Sequence, residues 1–506
     1  MSRSKANVIL IVAAAALTGT VVALAAAKQF AFTGSTDWLD LVSDRGQWDL
    51  LWFPFAYFAV FLVLLAVVLR GADTAGRGAT ALAVGLLVLA GFALHLSIGR
   101  VAPGGSAEAA LAIPRTNIFY HNARAISSLD DFLRHYEDRA AEAPVMATRT
   151  HPPGPELSYY LVRSLYRSQP WLRDAVLEAW GLIDPPQRGL DSPEVRALFS
   201  RLAMDETEVD VACCLAFTFK LLACLAVIPT YLLGSALHSR RTGLMAAACV
   251  AVLPSVHCFS PGLDQIYPLL SATMGWLALV AVRRRSAVVA SLFGLLLCTS
   301  LLFSLAFAVA AALIGLVIVV SLLRFRSDRS ASELIRAYAP VAVAALLGFA
   351  LLVLAFGVFW RVNLFSVWAR CMRENAQFNV MSRRSYAMSL VSNPWEFFVF
   401  LGLPLTCLFV MSVGRSVQVV RSAWLPAAGV LCLVALMLAL NLTGTNRGEV
   451  ARLWMFTMPF CAVAGAWWLE ERRSAWWPFC ALLALQMVQV ACFRAALDAL
   501  SLHSAQ

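Results

Sequence analysis

Residues 286–323 read SAVVASLFGLLLCTSLLFSLAFAVAAALIGLVIVVSLL, and no charged residue interrupts these 38 positions. A helix needs about 20 apolar residues to cross a hydrocarbon core of about 30 Å, so the stretch is long enough for two short spans that turn near Thr299. In lipid every backbone N–H and C=O group must be satisfied internally, and a helix achieves this. The stretch therefore predicts a pair of membrane-spanning helices.

The rest of the chain has the same character, because 60% of its 506 residues are hydrophobic and only 14% are charged. Soluble domains do not reach this composition. Other apolar runs of spanning length occupy residues 8–27, 51–69, 79–95, 211–237, 243–258, 266–282, 337–360, 396–413, 424–442, 454–469 and 475–493. The first resembles a signal peptide but is long for one, and we expect it to stay as a helix. The sequence predicts an all-α, polytopic membrane protein with about 13 transmembrane helices.

The net charge of +10 comes from arginines that lie mostly in short links between the apolar runs. Membrane topology explains such links better than a nucleic-acid partner does, since short basic loops stay in the cytoplasm. The basic links are Arg240-Arg241, Arg283-Arg284-Arg285, Arg324 with Arg326 and Arg329, Arg415 with Arg421, and Arg472-Arg473. Counting spans from them places residues 100–210, 260–265, 361–394 and 444–452 on the opposite side. We therefore predict a multi-pass protein of a bacterial inner membrane whose long loop is extracytoplasmic.

Residues 100–210 form the only long hydrophilic section. Helical periodicity at residues 117–140, 157–166 and 192–204 predicts juxtamembrane helices. Between them lies Thr150-His-Pro-Pro-Gly-Pro155, whose prolines exclude a continuous helix and predict a stiff, exposed turn that presents Arg149 and His151. An ordinary proline helix stop is the alternative. None of the 12 cysteines lies in this loop, so it holds no disulfide framework or thiolate zinc site; no cofactor is predicted, and a divalent metal is left open.

Three groups of residues resemble the C-type membrane glycosyltransferases, the lipid-phosphosugar-dependent family that includes aminoarabinose transferase and protein O-mannosyltransferases. They are Tyr120-His-Asn-Ala123 leading to the Thr150-His-Pro-Pro-Gly154 turn, Ser260-Pro-Gly-Leu-Asp-Gln-Ile-Tyr267, and Gly448-Glu-Val-Ala-Arg-Leu-Trp454. The resemblance covers residues 79–470, with residues 1–78 as two additional N-terminal transmembrane helices and residues 471–506 as a last helix and tail. It departs from the family at Asn117, near which family members often carry an acid.

The resemblance implies transfer of a sugar from a polyprenyl-phosphate donor to a glycan, lipid or protein acceptor at the extracytoplasmic face. Such a transfer needs a carboxylate to take the proton of the acceptor hydroxyl. The candidate carboxylates are Asp264, Asp131 and Glu449. Each has an ordinary alternative: Asp264 as a helix N-cap, Asp131 as a solvated surface residue, and Glu449 as a structural ion pair.

The donor phosphate requires cations or hydrogen-bond donors, and arginine offers a planar fork that suits an oxyanion. Arg447 and Arg452 are the first choices, with His151, Arg149 and Tyr120 as further substrate-binding candidates. Lys220 lies about ten residues inside an apolar run, where a cation faces an interior cavity or reaches toward a surface.

Two other functions remain open from the sequence. A transporter or flippase of lipid-linked saccharides would also have many spans and arginines near lipid headgroups, although we find no internal repeat of the kind that transporters show. A catalytically inactive scaffold of the same fold would fit the asparagine at position 117. The partners expected in every case are membrane lipids and a polyprenyl-phosphate-linked sugar.

Overall fold

The computed structural model describes residues 3–27, 43, 46–72, 74, 76–105, 108–184, 193–325, 330–381, 384–472 and 476–497. Its N-terminal helices are α1 (Arg3–Ala26), α2 (Trp52–Gly71) and α3 (Arg77–Ile98). The long loop holds α4 (Glu108–Thr116), α5 (Ile118–Arg124), α6 (Leu129–Arg134), α7 (Tyr136–Glu142), α8 (Met146–Thr150), α9 (Gly154–Ser168), α10 (Pro170–Gly181) and α11 (Pro193–Arg201). Arg326, Arg329 and Arg473, used above for topology, lie outside the described residues.

The chain continues as α12 (Glu206–Leu225), α13 (Val227–Leu237), α14 (Arg240–Ala251), α15 (Pro254–Cys258), α16 (Tyr267–Arg284), α17 (Ala287–Phe303), α18 (Ala306–Phe325) and α19 (Ala331–Ala355). The last helices are α20 (Leu364–Met381), α21 (Tyr386–Leu401), α22 (Leu403–Val419), α23 (Trp424–Thr443), α24 (Val450–Leu453), α25 (Met458–Glu471) and α26 (Trp476–Ala496). The prediction of an all-α, polytopic membrane protein is confirmed.

The described residues contain ten helical segments long and apolar enough to cross a membrane, or eleven if a bent pair is one span. The predicted number of about 13 is higher for three identifiable reasons. The predicted span at residues 396–413 runs across the bend between α21 and α22. Helix α17 has 17 residues, and α25 has only 14, so both are short for a hydrocarbon core of about 30 Å.

The turn inside the long apolar stretch lies at Ser304 rather than at Thr299. Thr299 stays helical, and its hydroxyl donates to the carbonyl of Leu295 at 2.9 Å. Ser304 is extended, with φ −158° and ψ 139°, and its Oγ accepts a hydrogen bond from the amide of Ala306 at 3.3 Å. A serine that bonds a nearby backbone amide stabilises a helix break, and hydropathy alone does not register this bond.

Helices α21 and α22 meet at 112° because Gly402 adopts φ +96° between them. This conformation is open mainly to glycine. The polar backbone groups freed at the bend are satisfied by α26, where Gln489 accepts from the amide of Leu403 at 2.9 Å and donates to the carbonyl of Val399 at 2.7 Å. Such partners are what a broken helix needs at membrane depth.

The four polar segments predicted to share one side of the membrane meet at one end of the helix bundle. Arg149 of the long loop pairs with Glu374 of α20 at 2.8 Å, and the Asn379 amide donates to the carbonyl of Thr445 at 2.8 Å. The opposite end carries the basic links, where Arg415 pairs with Glu471 at 2.9 Å. The four polar segments therefore lie at one end of the bundle, and the basic links lie at the other.

The long loop is more broken than its periodicity predicts. The helix predicted over residues 117–140 is divided into α5, α6 and α7, each with its own N-terminal boundary. The predicted helix at residues 157–166 lies within α9, and the one at residues 192–204 corresponds to α11, residue 192 being outside the described residues. Asn117 and Ser128 cap α5 and α6, accepting bonds from Tyr120 and Asp131 amides, and such caps define helix starts.

Candidate functional site

A cavity of about 130 Å³ opens where the long loop meets the start of α16 and the segment before α25. Its polar lining comes from four separate parts of the chain, and its walls include the aromatic side chains of Phe119 and Phe259. The polar residues that line it are Asn117, His151, Ser260, Asp264, Tyr267 and Arg452. Of the predicted site residues, the structure therefore brings His151, Asp264 and Arg452 to one cavity.

Asp264 lies in a short 3₁₀ helix, Leu263–Ile266, directly before α16. The N-cap residue of that helix is Gly262, and the N-cap residue of α16 is Ile266. Asp264 is therefore the N-cap of neither helix. Its carboxylate instead pairs with Arg452, with 3.1 Å between Oδ2 and Nε. Both side chains are about one-fifth exposed, which places the ion pair at the cavity wall rather than in bulk water.

Arg452 also reaches Glu449, with 2.8 Å between Nη2 and Oε2, and Glu449 accepts from Arg384 at 2.8 Å. Burial alone would lower the pKa of Arg452, but the negative charges of Asp264 and Glu449 outweigh it and raise that pKa. The guanidinium is thus held as a fixed cation between two carboxylates. Glu449 takes part in the ion-pair network that its sequence context offered as the ordinary alternative.

The segment that carries Glu449 and Arg452 is held by α21. Asn393 accepts from the amide of Gly448 at 3.0 Å, and Glu396 accepts from the amide of Ala451 at 2.9 Å. Gly448 and Glu449 both have positive φ, a conformation that is strained for a residue with a side chain. The surrounding hydrogen bonds stabilise this backbone and set the direction in which the two charged side chains leave it.

His151 reaches the cavity from the proline turn between α8 and α9. Residues 152–155 of the turn are buried and His151 is half-buried, so the prediction of an exposed turn is wrong. A Cβ at Gly154 would clash with the carbonyl oxygen of Leu302, because the turn packs closely on the end of α17. Tyr136 donates from its hydroxyl to the His151 carbonyl at 2.7 Å and fixes the turn from the other side.

The His151 ring has a defined hydrogen bond on one nitrogen. Nδ1 donates to the carbonyl of Ala147 at 2.8 Å, and burial lowers the pKa of His151 although Ala147 and Asp264 act against that effect. A neutral imidazole with the proton on Nδ1 presents Nε2 as an acceptor. Nε2 of His151 is therefore suited to accept a hydrogen bond from a hydroxyl group rather than to donate one to a phosphate.

The remaining predicted site residues lie outside this cavity lining. Asp131 is nearly half exposed and pairs with Arg139 at 2.5 Å, and Arg149 pairs with Glu374. Arg447 donates to the carbonyl of Arg384 at 3.2 Å. Lys220 is buried within α12. Their functional roles stay predictions.

Tyr120 is fully buried and donates from its hydroxyl to Glu208 at 2.7 Å. The same carboxylate accepts from Arg163 at 2.7 and 2.9 Å and from Arg167 at 2.8 Å. Burial and the Glu208 charge both raise the pKa of Tyr120. Glu208 therefore fastens α5 and α9 to the start of α12, and it positions the loop rather than lining the cavity.

Replacing Glu208 by glutamine should lower the stability of the folded protein by about 2 kcal/mol, because the change takes the charged partner away from Arg163, whose side chain is 14% exposed, and from the more exposed Arg167. The measurement is thermal unfolding of the purified protein in detergent. Asp131→Asn is the matched control, since an exposed ion pair contributes less than about 1 kcal/mol. Equal melting temperatures for the Glu208 variant and the wild type would refute the role assigned to Glu208.

Glu156 is a buried acid that the sequence interpretation missed. It accepts from the Asn122 amide at 2.6 Å, and burial raises its pKa to about 7, although the Asn122 bond and the charges of Arg370 and Arg139 act against the rise. The available signal was a single acid directly after three prolines. Its burial could not be read from that signal, because it depends on how α9 packs on α5.

Glu156 predicts a pH-dependent stability. The folded state binds this proton more tightly than the unfolded state, so the stabilisation is complete below pH 4.5 and is lost as the pH rises through about 7. At about 1.4 kcal/mol per pH unit, the loss amounts to about 3 kcal/mol. Glu156→Gln should melt at a higher temperature than the wild type at pH 8 and flatten the profile between pH 4.5 and 7. Glu178→Gln, at an exposed position, is the control; an unchanged profile in the Glu156 variant would contradict the assignment.

Among the described residues, no group of three His, Cys, Asp or Glu side chains is placed to hold a metal ion. No protein-family model matches the chain, and no curated protein matches it.

A solved structure similar to this chain is that of the archaeal oligosaccharyltransferase AglB from Archaeoglobus fulgidus, in complex with an inhibitory peptide and a dolichol-phosphate. The two chains share 12% identity with a TM-score of 0.41, over 80% of this chain and 56% of the other. This chain thus matches little more than half the length of that enzyme. A similarity of this extent carries no inference about function.

Proposed function

We propose that this multi-pass membrane protein is a glycosyltransferase that moves a sugar from a polyprenyl-phosphate donor to an acceptor hydroxyl at the extracytoplasmic face. The observation that carries the proposal is the convergence of Asp264, His151 and Arg452 on one cavity at the polar end of the bundle. The three residues are far apart in the sequence, and they supply the two kinds of group that the reaction needs.

Arg452 is the cation for the donor phosphate in this proposal. The polyprenyl phosphate leaves the sugar more readily when a fixed cation balances the negative charge that grows on the phosphate oxygens. The guanidinium is already held in place by Glu449 and Asp264, so little reorganisation is required on binding. Arg447 and Arg384 on the same polar face would extend the positive field around the phosphate.

Asp264 is the proposed base, and His151 is the second acceptor. The carboxylate takes the proton of the acceptor hydroxyl as that oxygen attacks the anomeric carbon and the phosphate–sugar bond breaks. The Nε2 atom of His151 accepts a hydrogen bond from the same hydroxyl or from a neighbouring one. Phe119 and Phe259 supply an apolar wall against which the first units of a prenyl chain or a sugar face can pack.

The proposal predicts that the long loop faces away from the cytoplasm. A single cysteine introduced at the exposed Ser127, in a background depleted of native cysteines, should react with an impermeant maleimide in intact spheroplasts. A cysteine at Ser422, which is exposed near the basic links, should react only after the membrane is permeabilised. The reverse pattern would place the cavity on the cytoplasmic side and contradict the proposed reaction.

Photo-cross-linking tests whether the cavity holds the donor. With p-benzoylphenylalanine in place of Phe119, a labelled polyprenyl-phosphate sugar should be captured, and an excess of unlabelled donor should abolish capture. The same residue in place of Phe359, whose side chain is 65% exposed and does not line the cavity, is the matched control for nonspecific lipid contact. Equal labelling at the two positions would remove the cavity as the donor site.

A further inference from the structure

A second cavity, of about 110 Å³, lies at the other end of α16, between α13, α16, α18, α23 and α25. Its walls are almost entirely apolar, formed by side chains such as Leu233, Leu279, Leu313, Ile318 and Phe460. Several of these belong to segments that are long and apolar enough to cross a membrane. The cavity therefore suits a hydrocarbon chain better than a polar solute.

A neighbouring pocket of about 360 Å³ continues this cavity toward the basic end of the bundle. The two share Leu279, Val317, Ile318 and Leu425 among their lining residues. The second pocket adds the side chains of Arg283 and Arg285. No acidic residue is among the described residues that line either pocket.

The two arginines are exposed and already oriented. Arg283 donates to the carbonyl of Ala236, and the Arg285 guanidinium lies 5.7 Å from the centre of the Tyr338 ring. Arg285 is the C-cap residue of α16, with φ +49°. An apolar cavity thus leads directly to a pair of fixed cations.

This feature is separate from the candidate active site. Asp264 precedes α16 and Arg283 is at its last turn, and 19 residues of helix correspond to about 28 Å. The second feature therefore does not rest on the proposed glycosyltransferase function.

We propose that the two pockets together bind an anionic phospholipid of the membrane, with an acyl chain in the apolar cavity and the phosphate at Arg283 and Arg285. Arginine binds phosphate oxygens through its planar fork, and basic residues at a membrane surface attract anionic lipids. The charge of the second pocket and the apolar first cavity together match a ligand with a phosphate head and a hydrocarbon tail. A lipid held there would bridge α16, α18 and α23 at the basic end of the bundle.

Binding of fluorescent phosphatidylglycerol and phosphatidylcholine to the full-length protein in detergent tests the headgroup. Phosphatidylglycerol should bind more tightly, and the double variant Arg283→Ala/Arg285→Ala should weaken its binding about thirtyfold. Arg284→Ala removes a neighbouring charge that lines neither pocket and should change binding by less than about threefold. Equal binding of the two lipids, or an unchanged affinity in the double variant, would overturn the proposal.

Gly429 offers the test of the acyl chain, because it lines the apolar cavity and a Cβ there would meet nothing within 4 Å. Gly429→Leu has room at its Cβ, and its side chain should occupy part of the cavity and weaken phosphatidylglycerol binding at least tenfold. Gly315→Leu is the matched control, since Gly315 is also in a helix with open space at its Cβ but does not line either pocket. Inorganic phosphate that competes as well as the whole lipid, or a Gly429 variant that binds like the wild type, would reduce the site to a simple anion site and refute the lipid.

Discussion

Asp264→Asn should lower the rate of sugar transfer by about a hundredfold to ten-thousandfold, the range that loss of a general base produces. Asparagine keeps the size of the side chain but removes its ability to take a proton. Arg452 keeps its contact with Glu449 in the variant, so the cavity should retain its shape. The initial rate of transfer from a polyprenyl-phosphate sugar, at saturating donor, measures the effect.

The controls for this prediction are the other two candidate carboxylates. Asp131→Asn should transfer at the wild-type rate, since Asp131 is a surface residue paired with Arg139. Glu449→Gln should have an intermediate effect, because it loosens Arg452 without removing the base. Near-normal transfer by the Asp264 variant, together with loss of transfer in either of the other two, would assign the base elsewhere.

Arg452→Ala should weaken the affinity for the donor by about ten- to hundredfold, since a charge-assisted contact to phosphate contributes about 1.5 to 3 kcal/mol. The change appears in the apparent donor affinity more than in protein expression. Arg452→Lys keeps the positive charge but loses the planar fork, so it should recover only part of the affinity. Titration of donor at fixed acceptor concentration separates the two variants.

Arg447→Ala is the companion variant from the same segment. Arg447 contacts the carbonyl of Arg384 and lies near the Tyr386 ring, outside the cavity lining, so we expect a smaller loss of donor affinity than for Arg452→Ala. A loss confined to Arg447, with the Arg452 variant unaffected, would move the phosphate site away from the cavity and toward the segment's outer face.

Hydropathy was sufficient to predict the ten long apolar helices among the described residues, because an apolar run of spanning length satisfies its backbone in lipid by forming a helix. Details set by single polar contacts were not predictable in the same way. The bend at Gly402 depends on Gln489, almost 90 positions away, and the turn at Ser304 depends on one hydroxyl. Local patterns do not report such contacts.

In the candidate site, too, local patterns indicated single residues but not the contacts between them. A Pro-Gly turn before an apolar run pointed to Asp264, and an Arg-Gly-Glu segment pointed to Arg452, but their pairing joins positions separated by 188 residues in a contact that no local pattern encodes. Glu156 was missed because its burial arises from tertiary packing alone. The helix-cap interpretation of Asp264 was reasonable from its position and is replaced by an ion pair because α24 places Arg452 beside it.

Sugar transfer by the purified protein is the measurement that tests the central claim most directly. The protein would be supplied with a panel of polyprenyl-phosphate sugars and candidate glycan, lipid and protein acceptors, and mass spectrometry would detect a sugar newly bonded to an acceptor. We predict such a product with the wild type, together with release of the polyprenyl phosphate, and its loss with Asp264→Asn. Movement of an intact lipid-linked sugar across proteoliposomes without any transfer product would contradict the claim and identify a transporter instead.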